Sequence, residues 1–260
     1  MMLTQAVLNI QVVFLIFARV YAIMQTAPML SSQSIPGIAR VSLSLLTSVL
    51  IFSWISYPVP DTGLGYAMVV IGEIFVGIII GLYLNIIFSA FQTAGQFFSL
   101  QMGFGASQVF DPLAQIELPL MGQFFNQVAM LVFVAIGGFQ RTFQVGVYGS
   151  FQAMRAVDLV GHQEDLAAFL LSGLVRLFAQ ALVMSLPVVG TLFLVSISMG
   201  LLAKAAPQMN LLMLGFPINI GVAFLMIFLA MPLIIYAFAG IIESAYTYLG
   251  DMMTMIWSAR

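Results

Sequence analysis

Between Leu177 and Ile242 the chain carries a single charged residue, Lys204. A water-facing helix or sheet must keep one polar face, so no soluble element can hide so long an apolar stretch. The rest of the chain is alike: 62% of its residues are hydrophobic and 6% are charged, against about 25% charged in a soluble domain. It reads as an integral membrane protein. Barrel strands would alternate apolar and polar residues over about ten positions, whereas "VGIIIGLYL" and "FLMIFLAMPLIIYAFAG" are unbroken. The expected fold class is all-α.

A spanning helix needs about 20 mostly apolar residues. Six stretches qualify, roughly 7–27, 38–57, 66–91, 118–138, 166–200 and 211–248. The first lacks a basic leader and a small-residue cleavage site, and reads as a retained helix rather than a signal peptide. The fifth would extend about 50 Å as one helix, well beyond a hydrocarbon core of roughly 30 Å. It is expected to break, tilt or leave the bilayer, with Pro187 as the natural break. Pro217 and Pro232 are expected to serve the sixth run in the same way. Broken apolar helices pack on other protein, because lipid cannot satisfy freed backbone groups. Six runs are therefore not equated with six conventional spans.

In "GEIFVGIIIG", Gly72, Gly77 and Gly81 share one helix, and Gly77 and Gly81 stand in the GxxxG register. That spacing permits close helix–helix approach, as in an oligomer contact. The one substantially polar stretch, about 139–165, holds Arg141, Arg155, Asp158, Glu164 and Asp165. It reads as a solvated loop with an amphipathic turn or two, and is long for a simple connection. No linker divides the chain. A faint internal echo links "APMLSSQSIPGI" to "APQMNLLMLGFPINI", both running from Ala-Pro to an apolar-Pro before a new helix.

The net charge is −2 and basic residues do not cluster, which argues against nucleic acid. The absence of cysteine excludes disulfides and thiolate metal sites. His162, the sole histidine, reads as an exposed loop imidazole, so neither a metal nor a cofactor is expected. Ionisable groups inside apolar runs are the suspects in a transporter: Arg19, Glu73, Arg176, Lys204 and Glu243. Glu73 and Glu243 each start or end an apolar run, which suits the membrane interface. A proton relay needs several acids or histidines along one path, and each helix offers at most one. An ion-coupled carrier is thus the minor reading. No G-x-S-x-G, H-E-x-x-H or phosphate-binding glycine loop is present, so no enzyme is expected.

Residues 101–119, "QMGFGASQVFDPLAQIELP", concentrate loop signals in Gly103, Gly105, Asp111-Pro112 and Pro119. Taken alone, this segment is a connection between helices. Methionine is abundant, at 18 residues, with Met102, Met199, Met209 and Met213 near helix breaks. Its thioether fills irregular gaps and suits surfaces that repack.

Residues 199–221 read "MGLLAKAAPQMNLLMLGFPINIG". With Gly200, Leu201, Leu202, Lys204, Ala206, Pro207, Gln208, Asn210, Gly215, Phe216 and Pro217 they resemble the signature block of the FliR/SctT family, export-gate proteins of type III secretion. Lys204 stands where that family often has arginine. A second block resembles the same family through Gly72-Glu73, Ala94-Gly95-Gln96, Gln101-Met102-Gly103 and Asp111-Pro112. The two blocks lie in the family's order, and the likeness covers nearly the whole chain. The "GFPINIG" ending is more similar to flagellar members than to injectisome members.

The resemblance implies a non-enzymatic subunit that assembles with FliP, FliQ and FlhB, with FlhA nearby, into a gate for unfolded flagellar subunits. It implies residence in the bacterial inner membrane at the flagellar basal body, with the gate projecting towards the periplasm. It further implies a FliP-like part over about 1–160 and a FliQ-like part over about 161–260, built as stacked hairpins. It also implies that the segment from Gly103 to Pro119 enters the pore as a plug. Phe104, Val109 and Phe110 would supply apolar bulk, Gly103 and Gly105 sharp turns, and Asp111, Pro112 and Glu117 a solvated turn. Lys204, Pro207, Gln208, Asn210, Gly215, Phe216 and Pro217 would form a break between hairpin helices and a subunit contact.

Overall fold

The computed structural model describes the chain apart from residues 1, 33–34, 56, 61, 104–119, 157–160, 162, 209–210 and 259–260. Every regular element among the described residues is helical, and the chain is an all-α membrane protein. In order the helices are α1 (Met2–Thr26), α2 (Gly37–Phe52), α3 (Gly63–Met102), α4 (Leu120–Ala135), α5 (Gly138–Ala153), α6 (Gln163–Ala205) and α7 (Leu211–Ser258). Four of them, α1, α3, α6 and α7, are long and apolar enough to cross a membrane, or up to five if α4 and α5 form one broken span. The second run yields only the 16-residue α2, short of the roughly 20 residues a span needs. All six apolar runs are helical, but they do not make six spans.

Local chemistry sets these boundaries. Pro36 immediately precedes α2, and the first free N–H groups of Ala39 and Arg40 bond back to its carbonyl. Within α2 the hydroxyls of Ser44, Thr47 and Ser48 donate to carbonyls four residues earlier, at 2.6–2.8 Å. This lets polar side chains sit in an apolar helix without unmet hydrogen bonds. Ser44, Ser48 and Ile51 form its buried face, and small residues at such spacing allow neighbouring backbones to approach. The Ser44 hydroxyl meets the sulfur of Met24 on α1 at 3.1 Å.

Two expectations are corrected here. Pro187 does not break α6, and Pro217 and Pro232 do not break α7; each helix runs through its prolines for 43 and 48 residues. A proline removes one backbone bond, but a full break would free several groups where no water can take them up. The Thr191 hydroxyl also donates to the Pro187 carbonyl at 2.8 Å. Straight helices of this length measure roughly 65–70 Å, so tilt or projection beyond the bilayer must absorb the excess. The second correction concerns the first part of 139–165: residues 139–153 lie in helix α5 and not in a solvated loop, while 157–160 and 162 lie outside the described residues. Thr142, Gly146, Val147, Ser150, Phe151 and Ala153 are buried, and Thr142–Gly149 is wound as a π-helix. The four-residue spacing of the apolar Phe143, Val147 and Phe151 was the helical signal beneath the polar composition.

The chain forms two compact units, each assembled from separate stretches. Unit 1 comprises Met1–Ile87, Gly137–Leu174 and Ile242–Arg260; unit 2 comprises Phe88–Ile136 and Val175–Ile241. Unit 1 packs α1, α2, α5 and the first part of α3 around Leu15, Ile16, Ile23, Ile80 and Met154. Unit 2 packs Phe91, Phe98, Phe125, Ala129 and Phe238 in its interior.

Candidate functional site

The most polar point of the interior lies in unit 1, where Arg19 and Glu73 are each 0% exposed. Apolar neighbours place Arg19 in the middle of α1 and Glu73 on α3. The Arg19 Nε donates to Glu73 Oε2 at 2.5 Å. Its Nη1 donates to Ser150 Oγ at 3.1 Å, and its Nη2 to the Met154 carbonyl at 2.8 Å. The guanidinium also covers the Phe151 ring, 3.9 Å from its centroid, a stacking geometry that suits arginine. Glu73 Oε1 accepts from the Tyr57 hydroxyl at 2.5 Å and from the Ala156 backbone N–H at 3.2 Å. Burial pushes the Tyr57 phenol pKa up, and the Glu73 charge and the hydrogen bond to it push it further. Tyr57 therefore stays protonated and donates.

Every nitrogen of this guanidinium and both oxygens of this carboxylate have partners. The pair ties α1, α3, the end of α5 and the α2–α3 connection together. Glu73 is thus paired and buried inside the protein. The charge left over in one apolar run is the partner of the charge in another. That was the available signal, since an ionised group inside an apolar bundle must be paired.

The glycines ahead of and behind Glu73 bring the backbones together. A Cβ on Gly72 would come within 2.6 Å of the Ala156 Cβ, and one on Gly77 within 2.5 Å of the Arg19 carbonyl oxygen. A Cβ on Gly81 would overlap the Thr26 side chain. The GxxxG face therefore meets α1 of the same chain. A second, exposed pair joins Arg141 Nη2 to Glu243 Oε1 at 2.9 Å, so the acid near the end of the last run is also matched within unit 1. Beside it, the Thr142 and Tyr246 hydroxyls bond at 2.6 Å.

In unit 2 the α3 helix ends at Met102, and Gly103 turns the chain with φ +89°. A Cβ there would be strained and would also come within 2.5 Å of the Phe216 ring. The first residue of the 103–119 segment thus touches the "GFP" signature near the start of α7. Phe104, Gly105, Val109, Phe110, Asp111, Pro112 and Glu117 lie outside the described residues, as does Asn210. Lys204 is exposed in the last turn of α6, where its charge faces the free carbonyl end. Pro207 and Gln208 follow in an exposed turn. Gly215 and Phe216 are half-buried and Pro217 is exposed on α7.

Among the described residues no cluster of three or more His, Asp or Glu could hold a metal ion. The outer surface of unit 2 is instead strongly apolar, with Phe178, Leu186, Phe193, Phe224 and Phe228 exposed along α6 and α7. Such faces need lipid or protein as a cover.

Comparison with known proteins gives this architecture its relatives. The model of the bacterial export proteins, family 1, matches residues 10–245. The flagellar biosynthetic protein FliR of Bacillus subtilis (strain 168) is 29% identical over 246 residues, covering 93% of this chain and 94% of the relative. The FliR of Borreliella burgdorferi is 28% identical, covering 92% and 90% respectively. That of Escherichia coli (strain K12) is 26% identical, covering 91% and 90%. An all-helical membrane chain matched over residues 10–245 in this way belongs to family 1 of the bacterial export proteins.

Proposed function

We propose that this chain is a core subunit of the flagellar protein export gate, forming with FliP- and FliQ-type proteins the channel for unfolded flagellar subunits. The observation that carries this reading is the family match over residues 10–245, with FliR relatives aligned over nine-tenths of both chains. The names of those relatives favour a flagellar over an injectisome role. The apolar faces of α6 and α7 supply surface for partner subunits, and the satisfied Arg19–Glu73 pair leaves little for a small-molecule carrier to use. FlhB-type protein joins the assembly and FlhA-type protein lies nearby. Residues 1–160 play the FliP-like part and 161–260 the FliQ-like part. The assembly sits in the inner membrane at the basal body and projects towards the periplasm.

Within it the Gly103–Pro119 segment acts as the pore plug, and the stretch from Lys204 to Pro217 contacts neighbouring subunits. Chain purified from its native membranes should bring down FliP- and FliQ-type proteins, and deleting its gene should abolish secretion of flagellar subunits. A chain that purifies alone while secretion continues without it would overturn the assignment. Deleting Gly105–Asp111 should leave the complex intact but make cells leaky to ions and small solutes. Unchanged permeability in an assembled mutant would remove the plug.

A further inference from the structure

We propose that α5 is a winding switch: a clasp from α7 holds its π-wound middle, and opening the clasp lets that middle rewind as α-helix and turn its outer face. The pattern of burial carries the first step. Gly138, Thr142, Gly146, Ser150 and Met154 are all buried, each four residues after the last. The outer face repeats at the same interval, with Gln140, Gln144 and Gln152 exposed and Tyr148 half-buried. Four residues of α-helix turn about 400°, roughly 40° past a full turn. Over the four steps from Gly138 to Met154 an α-helix would swing each face through about 160°. One end of the buried set would then point outward. An i→i+5 winding takes more residues per turn and offsets that swing. It is found here over Thr142–Gly149, between the two ends of the repeat.

Side chains from two other elements pin those ends. At the start, the Tyr246 hydroxyl of α7 lies 2.6 Å from the Thr142 hydroxyl and 3.3 Å from the Gly138 carbonyl oxygen. Three residues earlier on α7, Glu243 accepts from Arg141 at 2.9 Å. Residues at that spacing share one helix face, so a single turn of α7 grips a single turn of α5. At the end of the repeat, Arg19 of α1 donates to the Ser150 hydroxyl at 3.1 Å and to the Met154 carbonyl at 2.8 Å. Midway, Gly146 faces α3, where an added Cβ would lie 3.6 Å from Ile80. The π winding lets one face of α5 meet all of these partners.

The two pins differ in strength. Arg19 is buried with its counter-charge Glu73, and parting it from Ser150 and Met154 would leave guanidinium N–H groups unmatched in an apolar interior. The α7 clasp consists of two neutral hydroxyls and an exposed ion pair, which contribute far less. Release therefore starts at Thr142, while the end held by Arg19 stays in place. Rewinding from there turns Gln140 and Gln144 out of line with Gln152. A shift of this turn of α7 is thus converted into a rotation of the outer face of α5, and helices wound in this way are found mostly at functional sites.

The chain contains no cysteine, so spin labels can be set on introduced cysteines one pair at a time. The test uses the full chain in mild detergent with the subunits that accompany it. Labels at 144 and 152, both exposed and eight residues apart across the π-wound stretch, should share one side and broaden each other's spectrum strongly. Labels at 164 and 172, exposed and equally eight residues apart in α6, stand about 80° apart around a regular α-helix. They give the reference for α winding. Tyr246→Phe removes the hydroxyl and keeps the ring. It should shift the winding equilibrium about fivefold towards α, the scale of one hydrogen bond, read as a fall in the 144/152 broadening. Thr142→Val should act alike, and Tyr246→Phe with Glu243→Gln should bring the broadening near the 164/172 value. The 164/172 pair should stay constant throughout. Equal broadening of the two pairs in the wild type would show α winding from the outset and overturn the switch. An unchanged 144/152 signal in the double variant would remove the clasp's control of winding and overturn it as well. A fall at both pairs together would mean that the hydroxyls hold unit 1 as a whole, which also ends the proposal.

Discussion

Unit 1 and unit 2 are both helical and both apolar, yet different forces fix their packing. In unit 1 the helices meet at a buried ion pair whose every polar atom is matched. In unit 2 they meet through rings, with Phe91 and Phe238 at 4.3 Å and Phe98 and Phe125 at 4.8 Å between centroids. Sliding one helix of unit 1 along another would strand a charge in an apolar interior, which is costly enough to specify a single register. Rings lose far less by sliding, so unit 2 is specified by shape and by glycines. The contrast suits a subunit with one fixed part and one part that accommodates neighbours along its apolar faces.

The largest effect should come from breaking the fixed part. Glu73→Ala leaves Arg19 buried without its counter-charge and orphans Tyr57 and the Ala156 N–H. It should lower stability by about 3–5 kcal/mol, seen as loss of intact protein from detergent-solubilised membranes on heating. The paired change Arg19→Met with Glu73→Met should recover much of that loss, because a matched apolar pair leaves no lone charge. If the double variant is as unstable as the single one, the pair does more than fix a register.

A smaller effect is expected from unit 2. Gly95 lies so close to the Met121 carbonyl and to Gly122 that an added methyl would overlap backbone. Gly95→Ala should cost about 1–3 kcal/mol, the range for overpacking, since backbone can yield only by moving a helix. Thermal unfolding of the same preparation reads both variants. A Gly95→Ala loss as large as that of Glu73→Ala would erase the distinction between a unit held by charge and one held by shape.

The helices of both units were legible in the sequence because lipid imposes a composition that water does not, and runs such as 66–91 cannot be anything else. Their ends were less legible. Proline is read as a breaker from its behaviour in water, but Pro187, Pro217 and Pro232 lie within helices where broken bonds find no water. Composition hid α5, because Gln, Arg and Tyr suggest solvent while Val147 and Phe151 carry the buried face. Of the candidate residues, Arg19 and Glu73 could be singled out one by one as charges in apolar runs. Their pairing depends on contacts between residues 54 positions apart, and periodicity within one helix has no information on that. The Gly103–Phe216 contact is hidden for the same reason, although both residues belong to recognisable blocks.

The smallest effect should come from the same chemistry at the surface. Arg141 and Glu243 form an ion pair 2.9 Å long, but their side chains are 37% and 51% exposed. Water already solvates both charges, so Glu243→Gln should change stability by no more than about 1 kcal/mol. The same unfolding measurement therefore compares two Arg–Glu pairs in one unit that differ chiefly in burial. A Glu243→Gln loss approaching that of Glu73→Ala would mean that lipid or a neighbouring subunit covers this pair in the native membrane. Measuring the variant both alone in detergent and in the assembled complex separates the two covers: a partner restores the large effect only on assembly, whereas lipid restores it in a bilayer without partners.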